Sequence, residues 1–223
     1  MSDDLDHRAA AEEAAADASG ATPAQPAGRR YHHGDLRAAL LGAAEEELTH
    51  TGAEGFSLRS VAKRAGVSHA APAHHFGDVA GLLAALTAEG FRRFLDTQAR
   101  REAAAAGDPR SQLIAAGLGY IDFALSSPAL FRLMFSSARP DRKSDELVAA
   151  AGAAYRHLLD QVAAAGGGVG PDGAPTEDVA AVWAVAHGLA DLIGSQPMRP
   201  VAALPPAERD AMLASIIARA LPR

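Results

Sequence analysis

The fold is decided by the stretch Phe56-Ser57-Leu58-Arg59-Ser60-Val61-Ala62-Lys63-Arg64-Ala65-Gly66-Val67-Ser68. Ser57 can cap a helix N-terminus with its hydroxyl, and Gly66 can adopt the left-handed conformation that ends a helix. Ser68 is a second N-cap candidate, and it opens a short segment that runs to Phe76. Two short helices joined by a tight glycine turn form a helix-turn-helix.

This stretch is closed by His74-His75-Phe76-Gly77-Asp78 and followed by Leu82-Leu83. Over residues 31–83 the pattern resembles the N-terminal domain of TetR-family regulators, which usually show "T-x-x-x-I-A-x-x-A-G-V-S … Y-x-H-F" before a leucine-bearing helix. The resemblance implies a DNA-binding transcriptional regulator. It also implies a homodimer that binds a palindromic double-stranded DNA operator as a repressor and is released by a small-molecule effector.

The second helix of such a motif enters the major groove with its N-terminus first. We expect small side chains at this end, together with Ser68 and His69, to allow close approach and polar contacts. The resemblance places base contacts at His69 and Ala70, phosphate contacts at residues 73–75, and further backbone contacts at the start of the supporting helix. The predicted DNA-binding residues are Arg29, Arg30, Ser57, Arg59, Ser68, His69, Ala70, Ala73, His74 and His75.

Three residues depart from the family pattern. Ala73 stands where the family often has tyrosine, and Val79 stands where it often has lysine. Pro72 is expected inside the short helix, where it removes one backbone donor. Because phosphate anchors are lost here, we expect Arg29 and Arg30 to act as a compensating arm that reaches a minor groove or phosphate.

Helical spacing continues through the rest of the chain and predicts an all-α protein of about nine helices. Residues 1–28 are rich in Ala, Asp, Glu, Pro and Gly and are expected to be a disordered tail. Residues 29–78 form the predicted three-helix DNA-binding domain, and residues 79–223 the ligand-binding and dimerisation domain. The remaining helices are expected at 78–104, 110–125, 126–135, 144–165, 176–195 and 205–220, with a linker at 166–175.

Charge and composition set limits on function. The net charge of −6 comes mainly from the acidic segment 1–28, whereas residues 29–78 carry equal numbers of acidic and basic residues. A neutral head predicts modest non-specific affinity for DNA. No apolar run approaches the roughly 20 residues that span a bilayer, and Met1–Asp6 lacks the features of a signal peptide. We therefore expect a cytoplasmic protein without a membrane partner.

The C-terminal region carries aromatic residues that could line a cavity between helices. Trp183-Ala184-Val185-Ala186-His187-Gly188 resembles the Trp…His-Gly signature of one TetR-family C-terminal domain, and Tyr31–Arg37 also resembles that subgroup. Trp183 and His187 lie one helical turn apart on the same face. Either both project into a pocket, or His187 is hydrogen-bonded within the core. The predicted ligand-binding residues are Phe94, Tyr120, Phe123, Phe131, Phe135, Tyr155, Trp183 and His187.

The last two helices are expected to form a four-helix bundle with those of a second copy, as the resemblance implies. Two apolar faces are assigned to this contact. The first contains Val179, Val182, Leu189 and Ile193, and the second contains Met212, Leu213, Ile216 and Ile217.

Other classes of function lack sequence support. The chain has no cysteine, no nucleophile elbow and no acidic or histidine cluster at metal spacing. The glycines of 166–170 lack the lysine of a phosphate-binding loop. We therefore predict no enzymatic activity, no cofactor and no metal, since His74 and His75 diverge on a helix. The alternative is a helical interaction protein that does not bind DNA, and an activator is also compatible with the motif.

Overall fold

The computed structural model describes residues 33–195 and 197–222, and every regular element in these ranges is helical. The expected tail at 1–28 and the arm residues Arg29 and Arg30 lie outside the described residues. The α-helices are α1 (His33–Thr51), α2 (Leu58–Ala65), α3 (Ala71–Phe76), α4 (Val79–Ala103), α5 (Pro109–Ser126), α6 (Pro128–Ser136), α7 (Asp145–Ala164), α8 (Glu177–Gly194), α9 (Arg199–Ala202) and α10 (Pro206–Arg219). The all-α prediction is confirmed, and the described part of the chain holds ten α-helices rather than about nine, since the single-turn α9 was not anticipated.

The head is formed by α1, α2 and α3. The Ser57 hydroxyl accepts a hydrogen bond from the Ser60 backbone amide at 3.2 Å, and Gly66 has a φ of 67°, so both predicted ends of α2 are confirmed. The amide of Val67 then donates to the Ala62 carbonyl at 3.0 Å, which tightens the turn after α2. This turn sets the direction in which α3 leaves α2.

The start of α3 differs from the sequence prediction. The helix begins at Ala71, and Ser68 contributes its backbone carbonyl, which accepts from the Ala71 amide at 3.0 Å, in a turn before the helix. Pro72 therefore stands in the first helical turn, where its missing N–H has no intrahelical partner to lose. Contrary to expectation, Pro72 removes no donor that the helix would use, and the N-cap is Ala70 rather than Ser68.

Helix α4 joins the head to the body. Its N-cap is Asp78, whose carboxylate accepts from the Gly81 amide at 2.8 Å, and the residues from Leu82 to Ala88 are buried. Farther along, α4 contacts two other helices very closely. A Cβ atom on Gly119 of α5 would lie 2.6 Å from the Gln98 Cα, and one on Gly90 would lie 2.7 Å from the Met134 sulfur of α6.

The body is completed by α7, α8 and α10. Segment 166–175, expected to be a linker, contains a 3₁₀ turn at Pro171–Gly173, and the Gly173 carbonyl accepts from the Tyr155 hydroxyl at 3.0 Å. One hydrophobic cluster extends from Leu40 in α1 to Leu221 after α10. Among the described residues no single helix is long and apolar enough to cross a membrane, and only the α5–α6 pair, bent by 110°, reaches that combined length and composition.

The first apolar face assigned to dimer contact belongs to the protomer core. The four residues Val179, Val182, Leu189 and Ile193 are each at most 7% exposed within one chain. They face the neighbouring helices of their own body, so the assignment is wrong. The second face belongs only partly to the protomer core. Leu213 and Ile217 are buried there, whereas Met212 and Ile216 are half-buried.

Because α4 and α5 touch at Gly119, replacing this glycine tests the packing directly. Gly119→Ala forces the two backbones apart, and we expect it to lower the free energy of unfolding by about 1–3 kcal/mol. Gly42→Ala is the matched control, because Gly42 is exposed on α1 and a Cβ there meets nothing within 4 Å. The control should gain about 0.5–1 kcal/mol from helix propensity. Urea unfolding followed by circular dichroism at one protein concentration measures both, and equal effects would refute the close-packing argument.

Candidate DNA interface and candidate ligand cavity

The predicted DNA-binding residues of the motif form an exposed surface at the end of the head. The turn before α3 exposes Ser68, His69 and Ala70, and α3 itself exposes Ala73 and His74. Small or short side chains dominate this surface, so a nucleic-acid backbone could approach the α3 main chain closely. The surface is therefore shaped as the motif requires, with few charges of its own.

Two of the predicted contacts have other structural roles. Ser57 is half-buried, and its hydroxyl donates to the Ser60 hydroxyl at 2.8 Å while capping α2. His75 is half-buried, with its ring centroid 6.1 Å from that of Phe76. Both side chains support the motif in the unbound head, and a phosphate contact from Ser57 would have to replace its bond to Ser60.

Helix α2 offers a basic pair that sequence analysis did not recognise. Arg59 and Lys63 are both exposed, and their spacing of four residues places them on one face of α2. Neither forms an ion pair with any residue the structure describes, whereas Arg64 is engaged by Glu47 at 3.0 Å and Glu46 at 3.5 Å. The spacing from Arg59 was the signal that could have identified Lys63.

A second candidate site is a cavity of about 580 Å³ inside the body. It lies among α4, α5, α6, α7 and α8, and most of its lining is apolar or aromatic. Such a volume lies within the range of about 300–1,000 Å³ typical of small-molecule sites. Five of the eight predicted ligand-binding residues line it, namely Phe94, Tyr120, Phe135, Tyr155 and Trp183.

The other three predicted residues, Phe123, Phe131 and His187, lie outside the cavity lining. Phe123 is 2% exposed and packs edge-to-face against Phe94, with ring centroids 5.5 Å apart. Phe131 is buried against the His187 ring at 5.4 Å. These three side chains form the wall behind the lining residues.

A hydrogen-bonded chain explains the Trp…His-Gly signature. Trp183 Nε1 donates to the Tyr120 hydroxyl at 3.4 Å, and this hydroxyl is 2.7 Å from His187 Nδ1. Burial raises the pKa of Tyr120, so the phenol keeps its proton and can donate it to Nδ1. Trp183 and His187, one turn apart on α8, thus hold Tyr120 of α5 in place. Of the two alternatives for His187, the structure shows the one in which it is hydrogen-bonded within the core.

Sequence analysis missed four polar residues that line the cavity: Gln98, Arg142, His157 and Gln161. His157 Nε2 is 2.7 Å from a Glu102 carboxylate oxygen, and Arg142 donates to the backbone carbonyls of Met134 and Ser137. A lone polar residue on an apolar helix has no repeating pattern, so sequence reasoning had no signal for them.

An ion-pair network connects the head to the body near the start of α7. Glu146 accepts from Arg37 of α1 at 2.8 Å and from Arg92 of α4 at 2.7 Å. Partial burial by itself raises the pKa of Glu146, but the hydrogen bond from Arg92 and the two positive charges lower it below the ordinary value. The bridges are therefore formed at neutral pH and are lost only as the pH falls through that lowered pKa.

The protein combines a helix-turn-helix head with a helical body that contains a cavity. This combination is typical of helical DNA-binding regulators. Residues 40–86 match the family description "Bacterial regulatory proteins, tetR family", and residues 113–220 match "Tetracyclin repressor-like, C-terminal domain". The chain belongs to the TetR family of bacterial transcriptional regulators, which are DNA-binding proteins without enzymatic activity.

Individual relatives agree with this assignment. The HTH-type transcriptional regulator BetI of Paraburkholderia phytofirmans is 42% identical over 77 residues, which is 34% of this chain and 40% of that protein. The chain thus matches less than half the length of this curated relative. A solved protein of unknown function from Rhodococcus sp. RHA1 is 33% identical, with a TM-score of 0.69 over 87% of this chain and 100% of that one. A TetR-like transcriptional regulator from the same organism shares the fold at 18% identity, with a TM-score of 0.61 over 85% and 97% of the chains.

The bond between Tyr120 and His187 can be tested by a double-mutant cycle. Tyr120→Phe and His187→Leu each remove one partner, and each should lower the free energy of unfolding by about 1 kcal/mol or more. Because the second substitution has no bond left to break, the double variant should lose about 1 kcal/mol less than the sum of the single losses. Urea unfolding measures all three variants, and additive losses would show that the bond contributes nothing.

Proposed function

We propose that this protein is a transcriptional repressor that binds a palindromic DNA operator as a homodimer and releases it when a small molecule fills the body cavity. The single observation that carries the proposal is the pairing of an exposed helix-turn-helix surface with a cavity in the body, connected by α4. TetR-family regulators bind DNA operators and typically act as dimers, which supports the coarser part. A repressor of chromosomal genes would act in the cytoplasm.

In this proposal His69 and Ala70 contact base edges, because they stand exposed in the turn that leads into α3. Phosphate contacts come from the Ala73–His75 surface and from Arg59, with Ser57 at the helix end. Lys63 is added to this set because it shares the exposed face of Arg59. These two cations of α2 supply the positive charge that α3 lacks.

The homodimer would form through the outer faces of α8 and α10. These faces carry exposed residues that are mostly small, with Ala180, Ala184 and Leu192 on α8 and Ala211 and Ser215 on α10. Alanine and serine allow two helices to approach closely, and Leu192 is 42% exposed in the isolated chain. A two-fold axis through this surface would place two heads on one operator and require two related half-sites.

Release would follow from a difference in ligand affinity between two arrangements of the heads. Helix α7 contributes Ala154, Tyr155 and Leu158 to the cavity, and its first turn holds Arg37 of the head through Glu146. A ligand that favours a shifted α7 or α4 would favour heads that no longer match the half-sites. The ligand stabilises the unbound arrangement only by as much as its affinities differ.

The operator prediction is tested by footprinting. We expect the purified protein to protect a palindromic fragment upstream of its own gene, with two half-sites centred about 10 base pairs apart or a multiple of that spacing. Protection of one unpaired half-site would contradict the dimer. No protection anywhere in the intergenic region would favour a helical interaction protein instead.

The phosphate role of α2 is tested by the salt dependence of binding. Arg59→Ala and Lys63→Ala should each weaken binding to all DNA sequences alike and reduce the slope of log affinity against log salt by about 1. Arg156→Ala is the control, since it removes an exposed cation of α7 in the body. Fluorescence anisotropy at several salt concentrations measures the slopes, and equal slopes for all four proteins would remove α2 from the interface.

A further inference from the structure

Gln98, one of the residues that line the cavity, carries a hydrogen-bond acceptor that the protein leaves unused. Gln98 of α4 is 7% exposed, lines the cavity and donates from Nε2 to the Ala116 carbonyl of α5 at 3.1 Å. Its other amide atom, Oε1, is the one buried side-chain polar atom without a partner in the ranges 33–195 and 197–222. Burying a carbonyl oxygen without a donor is unfavourable, so a hydrogen bond from a ligand to Oε1 would remove this cost.

The orientation of the amide is determined by its neighbours. The Ala116 carbonyl can only accept, so the Gln98 nitrogen must face it and Oε1 must lie on the other side. The backbone of Gln98 is held as well, because Gly119 of α5 approaches its Cα closely. The acceptor is therefore held in one place before any ligand arrives.

The other lining groups favour an uncharged ligand. The Tyr155 hydroxyl already donates within the chain, the Tyr120 hydroxyl is engaged by Trp183 and His187, and no Asp or Glu of the described ranges lines the cavity to neutralise a cation. An anion would meet Arg142 and His157, but these are engaged by backbone carbonyls and by Glu102. Burying a charge without a dedicated partner is costly, so a neutral molecule fits this lining best.

We propose that the cavity binds a neutral, largely apolar molecule with one hydroxyl or amide N–H that donates to Gln98 Oε1. The apolar part of the molecule packs among Phe94, Phe135 and Trp183, and the single donor sets its direction. Gln98 is thus the residue that selects for a donor, and the half-buried Gln161 is the other uncharged amide of the lining. This inference names the ligand class of the cavity and rests on the proposed function only in assuming that the cavity takes a ligand.

The test compares probes that differ only in the polar group. Para-octylphenol carries a donor, and para-octylanisole has the same body with the donor methylated. Para-octylbenzoate and para-octylphenyltrimethylammonium bring an anion and a cation on the same octylphenyl body. Trp183 is the only tryptophan and lines the cavity, so its fluorescence can follow binding to the full-length protein without DNA, and calorimetry can check the affinities.

We expect the phenol to bind about tenfold more tightly than the anisole and more tightly than either ion. Gln98→Met keeps the length of the side chain and removes the acceptor. In this variant the preference for the phenol over the anisole should disappear, while the anisole binds as well as before. Urea unfolding serves as the control for folding, and the stability should change little, because the variant loses the Gln98–Ala116 hydrogen bond but no longer buries an unpaired oxygen.

Several results would overturn the inference. These are equal affinities for phenol and anisole in the natural protein, a phenol preference that survives Gln98→Met, tighter binding of either ion, or no binding of any probe. If Gln98→Met fails to fold, Gln98→Leu, which also lacks the acceptor, and the probe series on the natural protein still decide the matter.

Release of operator DNA is measured separately from binding. If the phenol binds as expected but leaves the DNA complex intact, the ligand class stands and the proposed release mechanism fails. If the anisole or an ion binds best and releases the operator, the mechanism stands and the assignment to Gln98 fails.

Discussion

The close contact of α4 with α5 and α6 is the constraint on which the rest of the structure depends. Two glycines, Gly119 and Gly90, remove the side chains that would keep these helices apart. Helix α4 begins beside α3 at the capping residue Asp78, is buried in the body as far as Gln98 and ends at the exposed Ala103. Its packing therefore determines both where the head is held and how the cavity walls meet. A change of a few tenths of an ångström at this crossing would alter both ends.

The same crossing accounts for the distribution of polar groups in the cavity. Because Gly119 brings the α5 backbone to Gln98, the amide reaches the Ala116 carbonyl with its nitrogen and leaves its oxygen unpaired. The Tyr120 hydroxyl, by contrast, is fully used by Trp183 and His187. Tyr120 therefore supports the fold with a fully bonded hydroxyl, whereas Gln98 keeps one acceptor without a donor.

Local chemistry could be predicted from the sequence, and tertiary orientation could not. The caps at Ser57 and Gly66 depend only on neighbouring residues, so their predicted positions were correct. The start of α3 was placed too early because the Ser68 hydroxyl suggested a cap, whereas its carbonyl closes a turn ahead of Pro72. In the body, helical periodicity identifies an apolar stripe but not its partner. The apolar face that begins at Val179 was therefore assigned to the dimer interface, although it packs inside one protomer.

Helix α7 offers a second connection between cavity and head, beside α4. Its middle turns line the cavity, and Glu146 in its first turn holds Arg37 of α1 and Arg92 of α4 together. These charges are half-exposed, so each bridge contributes little to stability by itself. Their geometry matters more, because one carboxylate can face both cations only while α1, α4 and α7 keep their present arrangement. A ligand that displaced α7 would have to lengthen one of the two bonds, and the head would then lose a contact that fixes its orientation.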